Sequence, residues 1–347
     1  MKIALDAMGG DYAPQNIVAG AVMALREYSH LSKLFLTGDS ARVESELKKH
    51  GCNDGRIQII HTTQVVDMTD SGLDAVRRKK DSSISRAVDL VKKGEAEAVV
   101  SAGHTGAAVT ASTIKLRTLP GIDRPAIAAL MPTETGNHFV LCDAGANPDA
   151  TPQQIVDNAI MALTYCEHVL GRKNPTAGLM SNGTEEYKGN QLTRAAFDLL
   201  KESGLNFHGN VEGHDLFEGR VDVVVTDGFT GNVVLKTSEA LAKSLFRLLR
   251  KELSANLSRK AGALLCKPGF RAVRSATDAD EYGGMPLLGV NGVTIISHGG
   301  ATPMAIKNAL RMACETLGHQ LNPHIIEQVQ RYHEQHPSPT SSATSPA

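Results

Sequence analysis

The chain has 347 residues, of which 41% are hydrophobic and 21% charged, with 32 glycines and no tryptophan. This length suffices for one large α/β domain or two smaller ones, and the composition is that of an ordinary globular protein. The chain reaches the acidic Asp6 too early for a secretion signal, and no apolar run approaches the length of a membrane span. The five cysteines are widely spaced without a Cys-x-x-Cys pair, so we expect reduced thiols in a cytoplasmic protein, with neither zinc nor disulfides.

The net charge of −1 is unevenly distributed along the chain. Residues 236–274 contain ten Lys or Arg and two Glu, a balance of +8, which leaves 26 basic and 35 acidic residues elsewhere, a balance of −9. A basic segment on an otherwise acidic protein predicts a partner with an acidic surface. The segment lacks a recognised nucleic-acid-reading motif, so we do not expect a nucleic acid partner.

Short apolar runs alternate with amphipathic stretches along most of the chain. The predicted strands are 2–6, 34–36, 57–60, 98–100, 126–131, 139–142, 177–180, 221–225 and 293–296. The predicted helices are 14–28, 41–50, 106–116, 152–170 and 303–317, with two more after Ser83 and before Ser203. This alternation predicts an α/β fold with a mostly parallel sheet and helices on both faces. We expect one α/β domain over residues 1–335, with a basic amphipathic helical hairpin over 236–274, and a disordered tail over 336–347.

Residues 97–106 combine a buried strand, a turn of small residues and the start of a helix. Such an arrangement places free backbone N–H groups and the positive end of a helix dipole at one point, which favours an anion. A tight turn that binds nothing would have the same pattern. The stretch matches neither a Walker A loop nor a dinucleotide-binding fingerprint. The candidate phosphate-binding residues are Ser101, Gly103, Thr105 and Gly106.

Six predicted strands end in a glycine with a polar residue nearby. Because the carboxyl ends of parallel strands lie along one edge of a sheet, we expect all six ends to line a single cleft. The candidate cleft residues are Asp6, Gly9, Gly10, Asp11, Asp143, Asp227 and Gly228. The set contains no Ser-His-Asp order and no clustered acids for a metal, but it offers hydrogen-bond donors and cations that suit an oxyanion.

Several motifs occur in order from residue 1 to about residue 320. They include Met8-Gly9-Gly10-Asp11, Lys79-Lys80-Asp81-Ser82-Ser83, Gly121-Ile122-Asp123-Arg124-Pro125, Gly209-Asn210-Val211-Glu212-Gly213 and Asp227-Gly228-Phe229. Together they resemble the motifs of the PlsX family, the phosphate acyltransferases of bacterial phospholipid synthesis. The chain departs from the family at His104, where Asn is usual, and at Tyr187, where Gly is common.

The resemblance implies reversible transfer of a fatty acyl group from acyl carrier protein to inorganic phosphate, without a cofactor. It implies a fold similar to the isocitrate and isopropylmalate dehydrogenase type, and a homodimer. It is also compatible with a peripheral contact with anionic membrane and with a glycerol-3-phosphate acyltransferase. The basic residues Lys243, Arg247, Arg250 and Lys251 are candidates for the surface that faces the carrier protein or lipid, while packing within the dimer is the alternative.

Phosphate is itself a nucleophile, so the protein must hold it, stabilise an oxyanion and help a thiolate to leave. We assign Lys188 as the cation that accompanies the Ser101–Gly106 turn, although it could be a solvated surface charge. Asn147 or Asn232 would stabilise the oxyanion, and Asn232 could equally be a helix cap. His104 or His298 would protonate the thiol. Two rival functions remain: an NAD-dependent hydroxyacid dehydrogenase on the same fold, and a non-catalytic scaffold for lipid-synthesis enzymes.

Overall fold

An 11-stranded sheet runs through the molecule in the order β3-β2-β1-β4-β11-β10-β5-β6-β9-β7-β8. The computed structural model describes residues 1–336 apart from Met68 and Asp278, so the predicted disordered tail beyond His336 lies outside the described residues. The strands are β1 Lys2–Asp6, β2 Lys33–Gly38, β3 Ile57–His61, β4 Ala98–Ser101, β5 Ala126–Pro132, β6 His138–Cys142, β7 Ala177–Met180, β8 Phe207–Val211, β9 Val223–Val225, β10 Met285–Leu288 and β11 Val293–Ile296.

Helices connect most of these strands and cover both faces of the sheet. They are α1 Gln15–Glu27, α2 Ser40–Lys49, α3 Gly72–Arg78, α4 Ser83–Lys92, α5 Thr105–Leu116, α6 Pro152–His168, α7 Gln191–Glu202, α8 Asp215–Glu218, α9 Gly228–Leu253, α10 Leu257–Leu265, α11 Lys267–Thr277, α12 Ala279–Tyr282, α13 Pro303–Gly318 and α14 Leu321–Gln335. In the described chain, no helix is both long enough and apolar enough to cross a bilayer.

The apolar core lies in two layers, one on each face of the sheet. On one face, α1, α2 and α13 cover the first half of the sheet, and α6, α7 and α14 cover the second half. On the other face, α3, α4, α5 and α9 pack against a single core that extends over both halves. The predicted α/β architecture with helices on both faces is therefore confirmed.

Seven of the ten strand pairings are parallel, and the three antiparallel ones lie together in the middle of the sheet. There β10 is antiparallel to both β11 and β5, and β5 is antiparallel to β6. As a result β6, β7, β8 and β9 run opposite to β1, β2, β3, β4 and β11. The carboxyl ends of these two sets of strands lie on opposite edges of the sheet.

Six elements have no counterpart among the strands and helices predicted from the sequence: β8, β10, α3, α8, α12 and α14. β8 is partly exposed and contains Gly209, so it lacks a clear apolar run. β10 has only four residues and includes Pro286. The predicted mostly parallel sheet is correct, but the two short strands were too weakly patterned to identify.

Asp157 on α6 offers a test of the packing through the pH dependence of stability. Its side chain is 3% exposed, and burial raises its pKa to about 6 although Gln153 donates a hydrogen bond to it. Because the folded state then holds the proton more tightly than the unfolded state, this contribution to stability is lost as the pH rises through about 6. The loss amounts to roughly 3 kcal/mol at neutral pH.

We therefore expect Asp157→Asn to be more stable than the parent at pH 7.5 and similar to it near pH 4. Urea denaturation across this pH range measures the difference. Asp198→Asn, at an exposed position on α7, is the matched control. A stability difference that stays constant from pH 4 to pH 7.5 would contradict this account of Asp157.

Candidate active site

The loops that follow β1, β4 and β11 are bound to one another at one edge of the sheet. Ser101 Oγ donates a 2.7 Å hydrogen bond to Asp6 Oδ2 and accepts one of 3.1 Å from the N–H of Gly103. The N–H of Asp11 donates to the carbonyl of Gly299 at 2.8 Å. These bonds bring three of the six predicted strand ends together, and we refer to them as the first-edge group.

Asp6 is the buried centre of this group. Its side chain is 2% exposed, and burial raises its pKa, although hydrogen bonds from Ser83 and Ser101 oppose the shift. Gly9 packs directly on it, since a Cβ at this position would lie 2.5 Å from Asp6 Oδ2 and 2.7 Å from the backbone nitrogen of Gly103. Ser101 therefore faces inward and supports the turn, and only glycine fits at residue 9.

Helices α1, α5 and α13 begin in the loops that follow β1, β4 and β11, and α4 begins beside Asp6, to which Ser83 donates a hydrogen bond. Their positive dipole ends favour an anion there. At the start of α5, the N–H groups of Ala107 and Ala108 donate to His104. Within the described chain this leaves the N–H groups of Thr105 and Gly106 as the donors nearest to solvent. These two residues of the predicted phosphate-binding turn thus have the geometry for an anion.

His298 lies at the same edge beside two charged residues of α9. Its Nε2 is 3.4 Å from Glu239 Oε2 and 3.2 Å from Lys236 Nζ, and the Lys236 and Glu239 side chains are 3.3 Å apart. Burial alone would raise the pKa of Glu239, but hydrogen bonding to His298 and the charge of Lys236 hold it below its ordinary value. Glu239 is therefore a carboxylate at neutral pH.

The two histidines of this edge share one hydrogen-bonding arrangement. His298 Nδ1 accepts the N–H of Gly300 at 3.3 Å, and His104 Nδ1 accepts the N–H of Ala107 at 3.0 Å. A neutral imidazole whose Nδ1 is an acceptor must carry its proton on Nε2. His104 can therefore present an Nε2–H donor to a ligand, whereas the Nε2–H of His298 faces Glu239 Oε2 at 3.4 Å.

The ends of β6 and β9 meet at the opposite edge and form a second-edge group. Asp143 is 1% exposed, and its carboxylate is surrounded by backbone donors. It accepts hydrogen bonds of 2.6–3.1 Å from the N–H groups of Ile127, Gly145, Ala146 and Asn147. Asp227 caps α9 by accepting from the N–H and the hydroxyl of Thr230, both at 2.8 Å. Asp143 and Asp227 thus shape a turn and a helix start.

The expectation that all six strand ends line one cleft is wrong. It assumed a common strand direction, but the antiparallel strands β5 and β10 reverse the second half of the sheet. Lys188 follows β7 and therefore lies at the opposite edge from Ser101, where its ammonium group stands 5.7 Å from the ring of Tyr187. Lys188 is not placed beside the predicted phosphate-binding turn.

Helix α9 reconnects the two edges. It begins beside the second-edge group, where the Asn232 side chain packs against Gly145, and it crosses β6 and β5. Asn232, Lys236 and Glu239 follow one another at intervals of four and three residues, so they lie on one face of the helix. Lys236 and Glu239 on this face contact His298, which belongs to the first-edge group.

Lys236 and Glu239 are not among the site residues predicted from the sequence. There Lys236 belongs only to the basic segment, and Glu239 is not a candidate. The signal that points to them is their helical spacing after the candidate Asn232. That spacing indicates a shared face but not which neighbour the face meets.

One group in the described chain has the side chains for a metal ion, although the sequence predicted none. Ligand atoms of Glu212, His214 and Asp215 lie within 4.8 Å of one another. However, Asp215 already forms a 2.7 Å ion pair with Arg220 and accepts the N–H of Glu212. The carboxylate that would anchor an ion is thus neutralised by the protein itself.

We expect Gly9→Ala to destabilise the first-edge group, because its Cβ would overlap Asp6 and the backbone of Gly103. The expected cost is about 1–3 kcal/mol, measured by urea denaturation. Gly300→Ala in a neighbouring loop is the matched control, since a Cβ there meets its nearest atom at 3.7 Å. Equal stability of the two variants would show that Gly9 does not pack as closely as described.

Comparison with known proteins identifies the family of this chain. The family described as "Fatty acid synthesis protein" matches residues 1–323. A phosphate acyltransferase from Akkermansia muciniphila is 50% identical over 337 residues, covering 95% of this chain and 96% of that protein. A phosphate acyltransferase from Pelotomaculum thermopropionicum is 48% identical over 321 residues, covering 92% of this chain and 93% of that protein.

Solved structures show a related fold at lower identity. A phosphotransacetylase from Streptococcus pyogenes aligns with a TM-score of 0.61 at 21% identity, covering 92% of this chain and 94% of that chain. The EutD phosphotransacetylase from Staphylococcus aureus aligns with a TM-score of 0.56 at 15% identity, covering 95% of this chain and 94% of that chain. Given the family match over residues 1–323 and relatives that are about half identical over nearly their whole length, the chain belongs to the PlsX family of phosphate acyltransferases.

Proposed function

We propose that this chain transfers a fatty acyl group reversibly from acyl carrier protein to inorganic phosphate, which yields an acyl phosphate for phospholipid synthesis. The observation that carries the proposal is the first edge of the sheet. There, α1, α4, α5 and α13 begin at the first-edge group, the turn before α5 has two N–H donors, and Lys236 lies beside His298. This arrangement suits a reaction in which an anion attacks and negative charge develops.

In the proposed reaction, phosphate binds at the N–H groups of Thr105 and Gly106 with Lys236 as the neighbouring cation. Lys236 replaces Lys188 in this role because Lys188 lies at the other edge. A phosphate oxygen attacks the thioester carbonyl carbon, the carbonyl oxygen takes up negative charge, and the carbon–sulfur bond then breaks. Holding the two reactants side by side supplies much of the rate enhancement, since phosphate is already nucleophilic.

Two further steps need hydrogen-bond donors. For the oxyanion we favour the Asn232 amide, because the Asn147 amide already donates to Gln154 at 2.9 Å. For the departing thiolate we favour the Nε2–H of His298 as the donor, with Glu239 Oε2, 3.4 Å away, orienting the ring. His104, the other candidate for protonating the thiol, is proposed instead as an Nε2–H donor to the bound phosphate.

The basic segment is proposed as the partner surface. Lys243, Arg247, Arg250 and Lys251 lie on α9 beyond the site, and each is exposed. Leu241, Leu245 and Leu248 on the same helix are 56–58% exposed, which suits a covering partner. We propose that the apolar side packs in a homodimer and that the basic side faces acidic carrier protein.

Three other assignments stay proposals. They are a cytoplasmic protein that contacts anionic membrane peripherally, an interaction with a glycerol-3-phosphate acyltransferase, and a closer fold relationship to the isocitrate dehydrogenase type. The basic helical hairpin formed by α9 with α10 is proposed as the element for the first two. Its cationic side chains would be drawn to a negative surface.

The reaction is tested by mixing the protein with acyl carrier protein charged with palmitate and with phosphate, then trapping acyl phosphate with hydroxylamine. We expect a hydroxamate to form. Lys236→Met should raise the KM for phosphate about 10- to 100-fold, a moderate effect because an exposed cation contributes less binding free energy than a buried one. Lys93→Met, at an exposed lysine that caps the carboxyl end of α4, is the matched control.

Two results would count against the proposal in different ways. If the parent protein forms no hydroxamate, the scaffold becomes the better hypothesis. If Lys236→Met and Lys93→Met have the same KM for phosphate, the reaction stands but Lys236 is not the phosphate cation. Lys188→Met, assayed beside them, tests the residue assigned from the sequence.

The partner surface is tested by reversing two charges, Arg247→Glu with Lys251→Glu. We expect the KM for acyl carrier protein to rise and kcat at saturation to stay nearly constant, because exposed charges mainly accelerate encounter. The effect should shrink with added salt. Size-exclusion chromatography is the control, since a monomer or an aggregate would mean that this side of α9 packs inside the dimer.

A further inference from the structure

A small cavity opens beside His298, between α9 and the ends of β5, β10 and β11. Its volume is about 50 Å³, measured as the space that the centre of a water-sized sphere can occupy. Its larger apolar side chains are Leu130, Leu235, Met285 and Ile296, and its polar side is formed in part by His298 and Glu239. The cavity therefore joins the candidate active site to an apolar interior.

We propose that this cavity receives the first methylenes of the acyl chain, with the thioester carbonyl at His298. The inference rests on the proposed function, and it adds a binding site for the part of the substrate next to the reacting carbon. The chain would enter past His298 and lie against Leu235 and Ile296. The first carbons of the substrate would thereby be held in a fixed direction relative to the phosphate turn.

The wall of the cavity is mostly apolar, and Leu235 and Ile296 within it are 6% and 0% exposed. The polar side chains that line it are Glu239, Asp280, Tyr282, Ser297 and His298. The carboxylate of Asp280, which also borders the cavity, accepts a 2.7 Å hydrogen bond from the Thr302 hydroxyl. Among the described residues, no lining side chain has a buried polar atom that lacks a partner.

The size of the cavity limits how much of the chain it can hold. One water requires about 10–15 Å³ on the same measure, so the cavity has room for about four groups of that size. Each methylene that enters should raise kcat/KM about fourfold, the fold-change that corresponds to burying one methylene. The remainder of a long chain must lie outside, so further carbons should add less.

The experiment measures kcat/KM with carrier protein charged with acyl chains of two to sixteen carbons, using phosphate and the hydroxylamine trap. In the parent we expect kcat/KM to rise steeply with chain length up to about six carbons and to rise only slightly beyond. Leu235→Phe should narrow the cavity and lower the ratio of kcat/KM for hexanoyl to kcat/KM for acetyl at least tenfold. Because this is a ratio between substrates, a general loss of activity cancels.

Leu90→Phe is the matched control for overpacking. Leu90 and Leu235 are both 6% exposed and belong to the same core, but Leu90 lies on α4, away from the cavity. We expect Leu90→Phe to keep the chain-length profile of the parent. A profile that neither substitution changes, or that both change alike, would overturn the cavity assignment.

A second measurement does not depend on a folded variant. Acyl carrier protein charged with a chain that bears a diazirine at its fourth carbon is photolysed with the parent protein, and the adduct is located by mass spectrometry. We expect adducts at Leu235, Met285 or Ile296, whereas adducts confined to residues 241–253 would overturn the proposal. Failure to form acyl phosphate at any chain length would instead overturn the proposed function.

Discussion

The reversal of strand direction in the middle of the sheet determines where every functional residue can lie. β10 and β5 are antiparallel to each other and to their outer neighbours β11 and β6. The strands on the β11 side of this pair and those on the β6 side therefore end at opposite edges of the sheet. The glycine-rich turns after β1, β4 and β11 gather around Asp6 at one edge, and Asp143 organises the other. A helix must cross the sheet before residues of the two halves can act together.

α9 makes this crossing, and its packing explains its dual role. Leu235 is buried in the core that spans both halves of the sheet, while Lys236 and Glu239 emerge beside His298. The helix has 26 residues, roughly 39 Å in length. Its first turns are fixed by the Asp227 cap, so the position of Lys236 depends on a turn at the far edge.

Much of the fold could be predicted from the sequence because periodicity reports burial. The runs at Ala98–Ser101 and Val293–Ile296 are fully buried strands, and their apolar side chains identified them. Periodicity does not report direction or neighbours, however. Pro286 and the four-residue length of β10 concealed the strand that pairs with both halves, so the two-edge arrangement could not be foreseen.

The candidate site could be predicted to a similar extent, and where its prediction failed the reason was the same. Small residues and a helix start identified the Ser101–Gly106 turn, since both are local features of the chain. Whether Ser101 points to a ligand or to Asp6 depends on a contact between residues 95 positions apart, which no local pattern encodes. Lys188 is a candidate because it is a cation that follows a strand end, yet the direction of that strand decides at which edge it lies. Lys236 could be assigned only after the path of α9 was known, because its neighbour His298 lies 62 positions away in the sequence.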